Sequence, residues 1–198
     1  FGYSVATSAD GNTIVVGAYN DELPDSFSSS GLVYVFDRVG NDFNEVGILT
    51  GTHADDINDY FGRSVATSAD GNTIVVGAHY DELPDSLINS GVAYVFDRVG
   101  NDFNVVGILA GSNANNSYDG FGISVATSAD GNTIIVGAAY DELPGSPSSS
   151  GVAYVFDRVG NDFNEVGILT GSNADDSGDY FGYSVATSAD GNTIVVGA

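Results

Sequence analysis

The chain has 198 residues with 27 acidic side chains, four arginines, no lysine and a formal net charge of -23. This charge repels nucleic acids and anionic lipids and attracts cations, so we expect no nucleic-acid partner. No stretch reaches the roughly 18 apolar residues of a membrane-spanning helix, which excludes membrane insertion by such a segment. Hydrophobic residues make up 42% of the chain, enough to bury a core and unlike a disordered acidic tail.

A period of 60 residues organises the whole sequence. Its clearest mark is a Phe-Gly pair, found at Phe1-Gly2, Phe61-Gly62, Phe121-Gly122 and Phe181-Gly182. Residues 1-60 differ from residues 121-180 at only 12 positions, and such a period indicates a repeat architecture. We therefore divide the chain into repeats 1-60, 61-120 and 121-180, with 181-198 as the first two strands of a fourth. We expect the chain to be a slice of a longer protein.

Each repeat contains four short segments with the composition of β-strands. In the first repeat the predicted strands cover residues 2-7, 13-18, 31-36 and 43-50. The Asp10-Gly11 pair between the first two strands is typical of a β-hairpin. The sequence therefore predicts an all-β chain of tandem four-stranded antiparallel meanders, one per repeat and with no helix.

The second and third predicted strands are almost continuously apolar, as at Ile14-Val15-Val16. In a sheet with one solvent-exposed face, the strands would instead alternate apolar and polar residues. Both faces of each small sheet must therefore be covered, and stacking the sheets face to face achieves this. Such units are typical of β-propeller blades, either in a closed ring or in an open array. We expect the phenylalanine of each Phe-Gly pair to pack between two sheets, and the glycine to permit a close approach or an unusual dihedral.

Three spaced patterns recur through the repeats: Phe-Gly-x-Ser-Val-Ala, then Ile-Val-Val-Gly-Ala, then Gly-x-x-Tyr-Val-Phe. Together they resemble the FG-GAP repeat, which implies the propeller fold of integrin alpha subunits and of many secreted microbial and algal proteins. The sequence departs from the family at the proline after Gly-Ala, where Tyr19, His79 and Ala139 stand. Calcium-binding members carry an Asp-x-Asp-x-Asp-Gly type of loop, whereas residues 8-13 offer one carboxylate, too few for the integrin-like site.

The order of the strands sorts the loops onto two faces. We call the hairpin turns 8-12 and 37-42, with their copies, the tight-turn face, and the loops 19-30 and 51-60, with their copies, the long-loop face. The tight turns are invariant within the chain, whereas the long loops carry most of the substitutions and acids. The long-loop face is therefore the better candidate for recognition. Unlike side chains collect weakly in the second repeat, at Arg63, His79, Tyr80, Leu87 and Ile88.

Arginine recurs once per repeat, directly after an aspartate at the end of the third strand. These residues are Arg38, Arg98 and Arg158, after Asp37, Asp97 and Asp157. We expect arginine-carboxylate pairing along the stack, with a mainly structural role.

Acidic clusters on the long-loop face raise the hypothesis of a calcium site. The candidate ligands are Asp55, Asp56, Asp59, Asp175, Asp176 and Asp179. The alternative interpretation is that these are solvated loop acids and turn formers, and Asp59 and its copies suit a turn acceptor better than a ligand. The chain also holds one Asn-x-Ser acceptor, which makes Asn115 the candidate glycosylation site.

No catalytic constellation stands out in the sequence. His53 and His79 do not recur, and near-identical repeats offer the same groups again and again, whereas catalysis needs unlike groups in one place. We interpret the chain as a non-catalytic extracellular or cell-surface structural or adhesive module, a building block of a surface protein or fibre. Its partners would be further copies of itself, or a protein or glycan. The alternatives are a closed β-propeller that binds a protein or glycan through its acidic long-loop face, and an accessory domain of a larger secreted enzyme; no cofactor is expected beyond the calcium hypothesis.

Overall fold

The computed structural model describes residues 1-23, 30-53, 58-83, 89-113, 117-173 and 176-198. Sheet I contains β1 (Ser4–Thr7), β2 (Thr13–Ala18), β3 (Leu32–Val39) and β4 (Asp42–Leu49). Sheet II contains β5 (Ser64–Thr67), β6 (Thr73–Ala78), β7 (Val92–Val99) and β8 (Asp102–Leu109). Sheet III contains β9 (Phe121–Thr127), β10 (Thr133–Ala138), β11 (Val152–Val159) and β12 (Asp162–Leu169), and a hairpin follows with β13 (Ser184–Thr187) and β14 (Ile194–Gly197).

Every sheet is an antiparallel meander in which each strand pairs with the next one in the chain. The all-β prediction of tandem four-stranded meanders is confirmed. Over the described ranges, no helix is long and apolar enough to cross a membrane. The third and fourth strands lose register once per sheet, between Val35 and Phe36 in sheet I, so a β-bulge lies at the same place in each repeat.

The hairpin between the first two strands is closed by the side chain of Asp10. Its carboxylate accepts hydrogen bonds from the Ser8 hydroxyl at 2.6 Å, the Asn12 backbone N–H at 3.0 Å and the Asn12 amide at 2.8 Å. These bonds, the one from Ser8 foremost, lower the pKa of Asp10. Asp70, Asp130 and Asp190 make the same contacts in their own turns. The invariant aspartate of the tight turn is therefore a structural acceptor whose oxygens are already engaged.

The phenylalanine of the Phe-Gly pair is the central side chain of each core. Phe61 is fully buried between Val33 of sheet I and Val76 of sheet II, and Phe121 is fully buried between sheets II and III. Phe1 precedes sheet I, has a sheet on one side only and is 79% exposed. The predicted packing between sheets is confirmed wherever two sheets flank the ring.

The glycine of the pair brings the backbones of neighbouring repeats together. Gly62 has a φ of +84°, which a residue with a Cβ rarely adopts, and its carbonyl oxygen accepts a hydrogen bond of 2.9 Å from the Ser4 hydroxyl one repeat earlier. The same carbonyl lies so close to Gly17 of the earlier repeat that a Cβ there would overlap it. Gly122 and Gly182 accept equivalent bonds, from Ser64 at 2.8 Å and Ser124 at 2.7 Å. The prediction of a close approach and an unusual dihedral is confirmed.

A second link joins the tight turns of successive repeats. The backbone N–H of Ala9 donates to the Ala69 carbonyl at 2.8 Å, Ala69 donates to Ala129 at 2.8 Å, and Ala129 donates to Ala189 at 2.8 Å. The first strands β1, β5, β9 and β13 also pack on one another, whereas the fourth strands of neighbouring sheets hardly meet. The sheets therefore fan out from an axis on the side of the first strands, as blades do.

Arginine-aspartate pairs clamp the sheets at the tight-turn face. The two terminal nitrogens of Arg98 donate to the two carboxylate oxygens of Asp37 at 2.8 and 2.6 Å, and Arg158 binds Asp97 at 2.9 and 2.6 Å. The guanidinium of Arg98 also lies 5.2 Å from the ring centre of Phe103. Arg98 and Arg158 therefore each bond to the previous repeat, which confirms the expected pairing along the stack for these two. Arg38, in the first repeat, donates instead to the Gly40 carbonyl at 3.0 Å.

We predict a measurable but modest coupling between Arg98 and Asp37. The side chains are 13% and 26% exposed, so solvent screens the pair, and we expect a double-mutant cycle of Asp37→Asn and Arg98→Gln to give about 1 kcal/mol. The hydrogen bond from Arg98 lowers the pKa of Asp37, so this contribution is present above about pH 4 and is lost as the pH falls through the lowered pKa. Urea denaturation at pH 7, with and without added salt, measures the coupling. A cycle energy that is zero at low salt would contradict a stabilising clamp.

Candidate functional site on the long-loop face

An aspartate-tyrosine pair anchors the start of the long loop in each repeat, half-buried in the first repeat as Asp21-Tyr34 and buried in the other two. The hydroxyl of Tyr94 in β7 donates to Asp81 at 2.6 Å, and Tyr154 donates to Asp141 in the next repeat. Asp81 and Asp141 are 1% and 0% exposed, and burial raises the pKa of Asp81 to about 6 and the pKa of Asp141 to about 7. The acids of the long loop are thus not all solvated, because the first acid of the Asp-Glu-Leu-Pro segment is buried in the second and third repeats.

These two aspartates are expected to make the chain less stable as the pH rises from about 4 to about 7. A carboxyl with a raised pKa in the folded state stabilises fully below its unfolded pKa, and this is lost as the pH rises through the folded value. Relative to the wild type, the double variant Asp81→Asn/Asp141→Asn should therefore gain on the order of a few kcal/mol in unfolding free energy between pH 5 and pH 8. Urea denaturation of both proteins at the two pH values measures this gain.

The comparison with the wild type also removes the effect of His79, whose contribution to stability changes with pH in the opposite direction to that of the two aspartates. Burial, followed by the nearby charge of Arg63, lowers the pKa of His79 to about 4, so His79 costs stability as the pH falls from about 6.5 to 4. Both proteins carry this histidine, and its effect drops out of the difference. A variant that differs from the wild type by the same amount at pH 5 and at pH 8 would contradict the role of the aspartates.

Aromatic side chains form a continuous row across the first two repeats. Ring centres are separated by 4.7 Å for Tyr3-Tyr19, 5.2 Å for Tyr19-Tyr60, 5.3 Å for Tyr60-His79, 5.3 Å for Tyr60-Tyr80 and 5.8 Å for Tyr80-Tyr118. The guanidinium of Arg63 lies 4.3 Å from the ring centre of Tyr3, within the range of a cation–π contact. One ring of the row, that of Tyr3, is therefore already in contact with a cation of the chain itself, Arg63.

A cavity of about 520 Å³ opens beyond this row, between the second and third repeats. It is lined by Tyr80, Tyr118, Tyr140, Asp119, Glu142 and Ser149, among others. Gly120, directly after the lining residue Asp119, stands where the other repeats have Tyr60 and Tyr180, and the ring of Tyr60 lies between Tyr19 and Tyr80. At Gly120 the ring is missing, and Tyr140 packs so closely that a Cβ on Gly120 would lie 2.6 Å from it.

The candidate calcium ligands are only partly within the described residues. Asp55, Asp56, Asp175, the glycosylation candidate Asn115, and the loop residues Leu87 and Ile88 all lie outside them. Asp59 is buried with 3% exposure, and the Asp179 carboxylate accepts a hydrogen bond of 3.0 Å from the backbone of the exposed Asp176. No group of three or more His, Cys, Asp or Glu side chains suited to a metal ion occurs in the part of the chain that the structure describes.

The calcium and glycosylation sites therefore stay predictions. If calcium ties neighbouring repeats together, a site at about 100-fold saturation contributes about 2.7 kcal/mol, and EDTA should lower the melting temperature. Restoring calcium, but not magnesium, should reverse the loss. A melting temperature that EDTA leaves unchanged would contradict the calcium hypothesis.

Comparison with known proteins decides the family. The model of the FG-GAP repeat matches residues 1-36, 45-96, 106-156 and 163-198, most of the chain. The chain belongs to the FG-GAP repeat family. Three of the FG-GAP matches begin within a fourth strand, in β4, β8 and β12, so each brings the last strand of one sheet together with the Phe-Gly pair of the next. No curated protein matches the chain in sequence.

Solved β-propeller structures share the fold of these FG-GAP repeats. Saccharomyces cerevisiae Sqt1 is 10% identical with a TM-score of 0.54, over 85% of this chain and 35% of that one. Acinetobacter baumannii TolB is 15% identical with a TM-score of 0.54, over 98% and 36% of the two chains. Kuenenia stuttgartiensis hydrazine synthase is 17% identical with a TM-score of 0.57, over 98% and 41%. The FG-GAP chain thus spans between about a third and two fifths of these structures, and the likeness shows the fold alone.

Proposed function

We propose that the chain is a non-catalytic structural or adhesive module of an extracellular or cell-surface protein, in which FG-GAP blades are the building material of a surface layer or fibre. The observation that carries this proposal is the interface between repeats. The two steps between full repeats use the same four contacts: the buried phenylalanine, the serine-to-glycine carbonyl bond, the bond between the tight turns and the arginine-aspartate clamp. The step to the last hairpin repeats the serine-to-glycine bond and the bond between the tight turns. This interface is heterologous, because it joins two different surfaces of successive repeats, so each added repeat extends the stack. If the rotation from one repeat to the next does not close into a ring, the stack becomes a filament.

The location rests on the family and on the charge. The resemblance to secreted and cell-surface FG-GAP proteins supports an extracellular or cell-surface location, and a net charge of -23 keeps the chain itself soluble there. Partners of such a module would be further blades, or a protein or glycan on its long-loop face.

Electron microscopy of the native, full-length protein tests the assembly. The fibre proposal predicts continuous filaments in negative stain, with a regular repeat along their length. A uniform population of isolated discs would contradict it. Material disassembled at low pH and returned to pH 7 should form the same filaments, which separates true assembly from aggregation.

A second candidate is a closed β-propeller that binds a protein or glycan through the long-loop face. The fan of the sheets about an axis near the first strands favours it, since this is how blades are arranged in a ring. Isolated discs of blade-ring size would support this candidate.

A further inference from the structure

We infer that the paired tyrosines of the long-loop face are sites of oxidative cross-linking, at which a peroxidase acting with hydrogen peroxide joins the two rings of a pair as dityrosine. The pairs are Tyr19-Tyr60, Tyr80-Tyr118 and Tyr140-Tyr180, one in each repeat. This inference goes beyond the structural role proposed above, because it concerns a covalent modification within the chain. It does not depend on whether the blades form a fibre or a ring.

The three pairs share one geometry. Their ring centres are 5.2, 5.8 and 5.6 Å apart, and their planes meet at 84°, 88° and 88°. In each pair one ring stands at the start of the loop after the second strand, and the other stands shortly before the next Phe-Gly pair. Perpendicular packing points the edge of one ring at the other, and surface side chains turn about their torsions within nanoseconds. Two rings held in this way can meet at their edge carbons.

The pair is kept in every repeat although its positions in the sequence move. The loop of the first repeat begins with Tyr19, and the corresponding residues of the later repeats are His79 and Ala139, but each of these is followed by a tyrosine. In the second repeat Gly120 replaces the tyrosine of the other repeats, but Tyr118 lies two residues before it. Each missing tyrosine is thus matched by one at a neighbouring position, and every repeat ends with a pair.

Stacking alone does not account for the choice of tyrosine. The chain contains 11 phenylalanines and 11 tyrosines, and phenylalanine also packs edge to face. All members of the three pairs are nevertheless tyrosines. A phenol, unlike a phenyl ring, gives up an electron and a proton to form a radical, which is the step that cross-linking needs.

Tyrosine is also the side chain on which an oxidant can act in this chain. Cysteine and methionine, which are oxidised readily, are absent from the sequence, and so is tryptophan. Tyr118 is 53% exposed and Tyr180 is 42% exposed, so their pairs each have a ring at the surface, whereas both rings of the first pair are half-buried. The core residues Tyr94 and Tyr154 are fully buried, with their hydroxyls bonded to aspartates, and lie out of reach.

The reaction balances with a single molecule of peroxide for each pair. Peroxide takes an electron and a proton from each phenol and is reduced to two molecules of water. The two phenoxyl radicals couple through ring carbons ortho to their oxygens, which forms a C–C bond. Each of these carbons then loses its hydrogen to the oxygen of its own ring, so both phenols are restored and the pair has lost two hydrogens.

A competing partner of Tyr19 is disfavoured by electrostatics. The ring centre of Tyr3 lies 4.7 Å from that of Tyr19, closer than the ring of Tyr60, but the guanidinium of Arg63 lies 4.3 Å from the ring centre of Tyr3. A positive charge at that distance opposes the loss of an electron from the ring. Tyr19 is therefore expected to couple with Tyr60.

Peptide mapping of the oxidised full chain tests the inference. Dilute protein is treated with hydrogen peroxide and a peroxidase, the monomer is isolated, and trypsin then cleaves after the four arginines into peptides 1-38, 39-63, 64-98, 99-158 and 159-198. The two rings of every pair fall on different peptides. We expect dityrosine fluorescence and links of 1-38 with 39-63, of 64-98 with 99-158, and of 99-158 with 159-198, each with the loss of two hydrogens.

The same map holds the outcomes that would overturn the inference. A link within peptide 1-38 belongs to Tyr3-Tyr19, and a link between 39-63 and 64-98 belongs to Tyr60-Tyr80. If these links predominate, or if dityrosine forms only between separate chains, the pairs are not the sites of cross-linking.

Tyrosine-to-phenylalanine variants assign the links, because they remove the phenol and keep the ring. Tyr180→Phe should abolish the link between 99-158 and 159-198, and Tyr118→Phe should abolish the link between 64-98 and 99-158. Tyr183→Phe is the matched control: it alters the same peptide as Tyr180→Phe at a similar exposure, 50% against 42%, but Tyr183 has no ring partner among the described residues. The link should survive in this control, and its loss there or its survival in Tyr180→Phe would overturn the assignment.

The melting temperature gives an independent readout. Each link closes a loop of roughly 40 residues, and a covalent bond across such a loop stabilises the folded state by restricting the unfolded chain. The oxidised monomer should therefore melt at a higher temperature than the untreated protein, and part of this rise should be missing in oxidised Tyr180→Phe. A lower melting temperature after cross-linking would overturn the inference, because it would show that the native pairs do not fit the bond.

Discussion

Replacing Phe121 by alanine is expected to lower the unfolding free energy by about 3–5 kcal/mol. Phe121 is fully buried between sheets II and III, with its ring centre 5.4 Å from that of Tyr154 and 6.1 Å from that of Phe156. Both walls of the resulting cavity are β-sheets fixed by hydrogen bonds, so neither can collapse to fill it. Urea denaturation followed by circular dichroism measures the loss.

Phe1→Ala is the matched control for this prediction. It removes the same ring from the same motif, but Phe1 is 79% exposed and lies against one sheet only, with its ring centre 5.2 Å from that of Tyr34. We expect a change within about 0.5 kcal/mol, as at most surface positions. If both substitutions cost the same, the burial between sheets would not be what makes the phenylalanine important.

Local patterns in the sequence were sufficient to predict the blades. The apolar run at Ile14-Val15-Val16 and the Asp10-Gly11 turn report on residues that are neighbours in the chain, and the hairpin they predict is formed. The repeat then supplied the long-range information, because a strand that is apolar on both faces must pack against its own copies. Phe61 and Phe121 follow from this argument, and so does the clamp between Arg98 and Asp37.

The burial of Asp81 was not predicted, because an aspartate in a polar loop rich in acids has the composition of a solvated residue. Its burial is possible because its carboxyl group accepts a hydrogen bond from the hydroxyl of Tyr94, 13 residues further along the chain. A signal was present in the sequence: a tyrosine recurs inside an otherwise apolar strand, and a buried tyrosine hydroxyl usually finds a partner. The recurrence of both residues in each repeat points to their pairing.

The cavity was also missed, for a different reason. Tyr118 and Gly120 stand where the first repeat has Asn58 and Tyr60, so one substitution adds a ring and the other removes one. Their effects combine only in space, where Tyr118 and Gly120 face Tyr140 of the next repeat. A tyrosine at position 118, where the other repeats have Asn58 and Gly178, is the signal that could have located it, since Tyr118 lines the cavity.

Replacing Gly77 by alanine is expected to separate two sheets, at a cost at or above the upper end of the 1–3 kcal/mol that is roughly typical of overpacked cores. A Cβ on Gly77 would overlap the carbonyl oxygen of Gly122 and the hydroxyl of Ser64, which are themselves joined by a hydrogen bond of 2.8 Å. The nearest obstacle is backbone, so the clash cannot be relieved by turning a side chain. The sheets must move apart, and that movement also loosens the packing around Phe121.

Gly167→Ala is the control, because Gly167 lies in β12, has no positive φ, and a Cβ there would meet only Val155 at 3.9 Å. We expect it to be neutral or slightly stabilising, since alanine restricts the unfolded chain more than glycine does. Thermal denaturation of the two variants beside the wild type measures the contrast. A Gly77→Ala protein as stable as Gly167→Ala would show that neighbouring backbones do not need the close approach, and the glycine of the Gly-Ala pattern would then owe its place to something other than the stacking of blades.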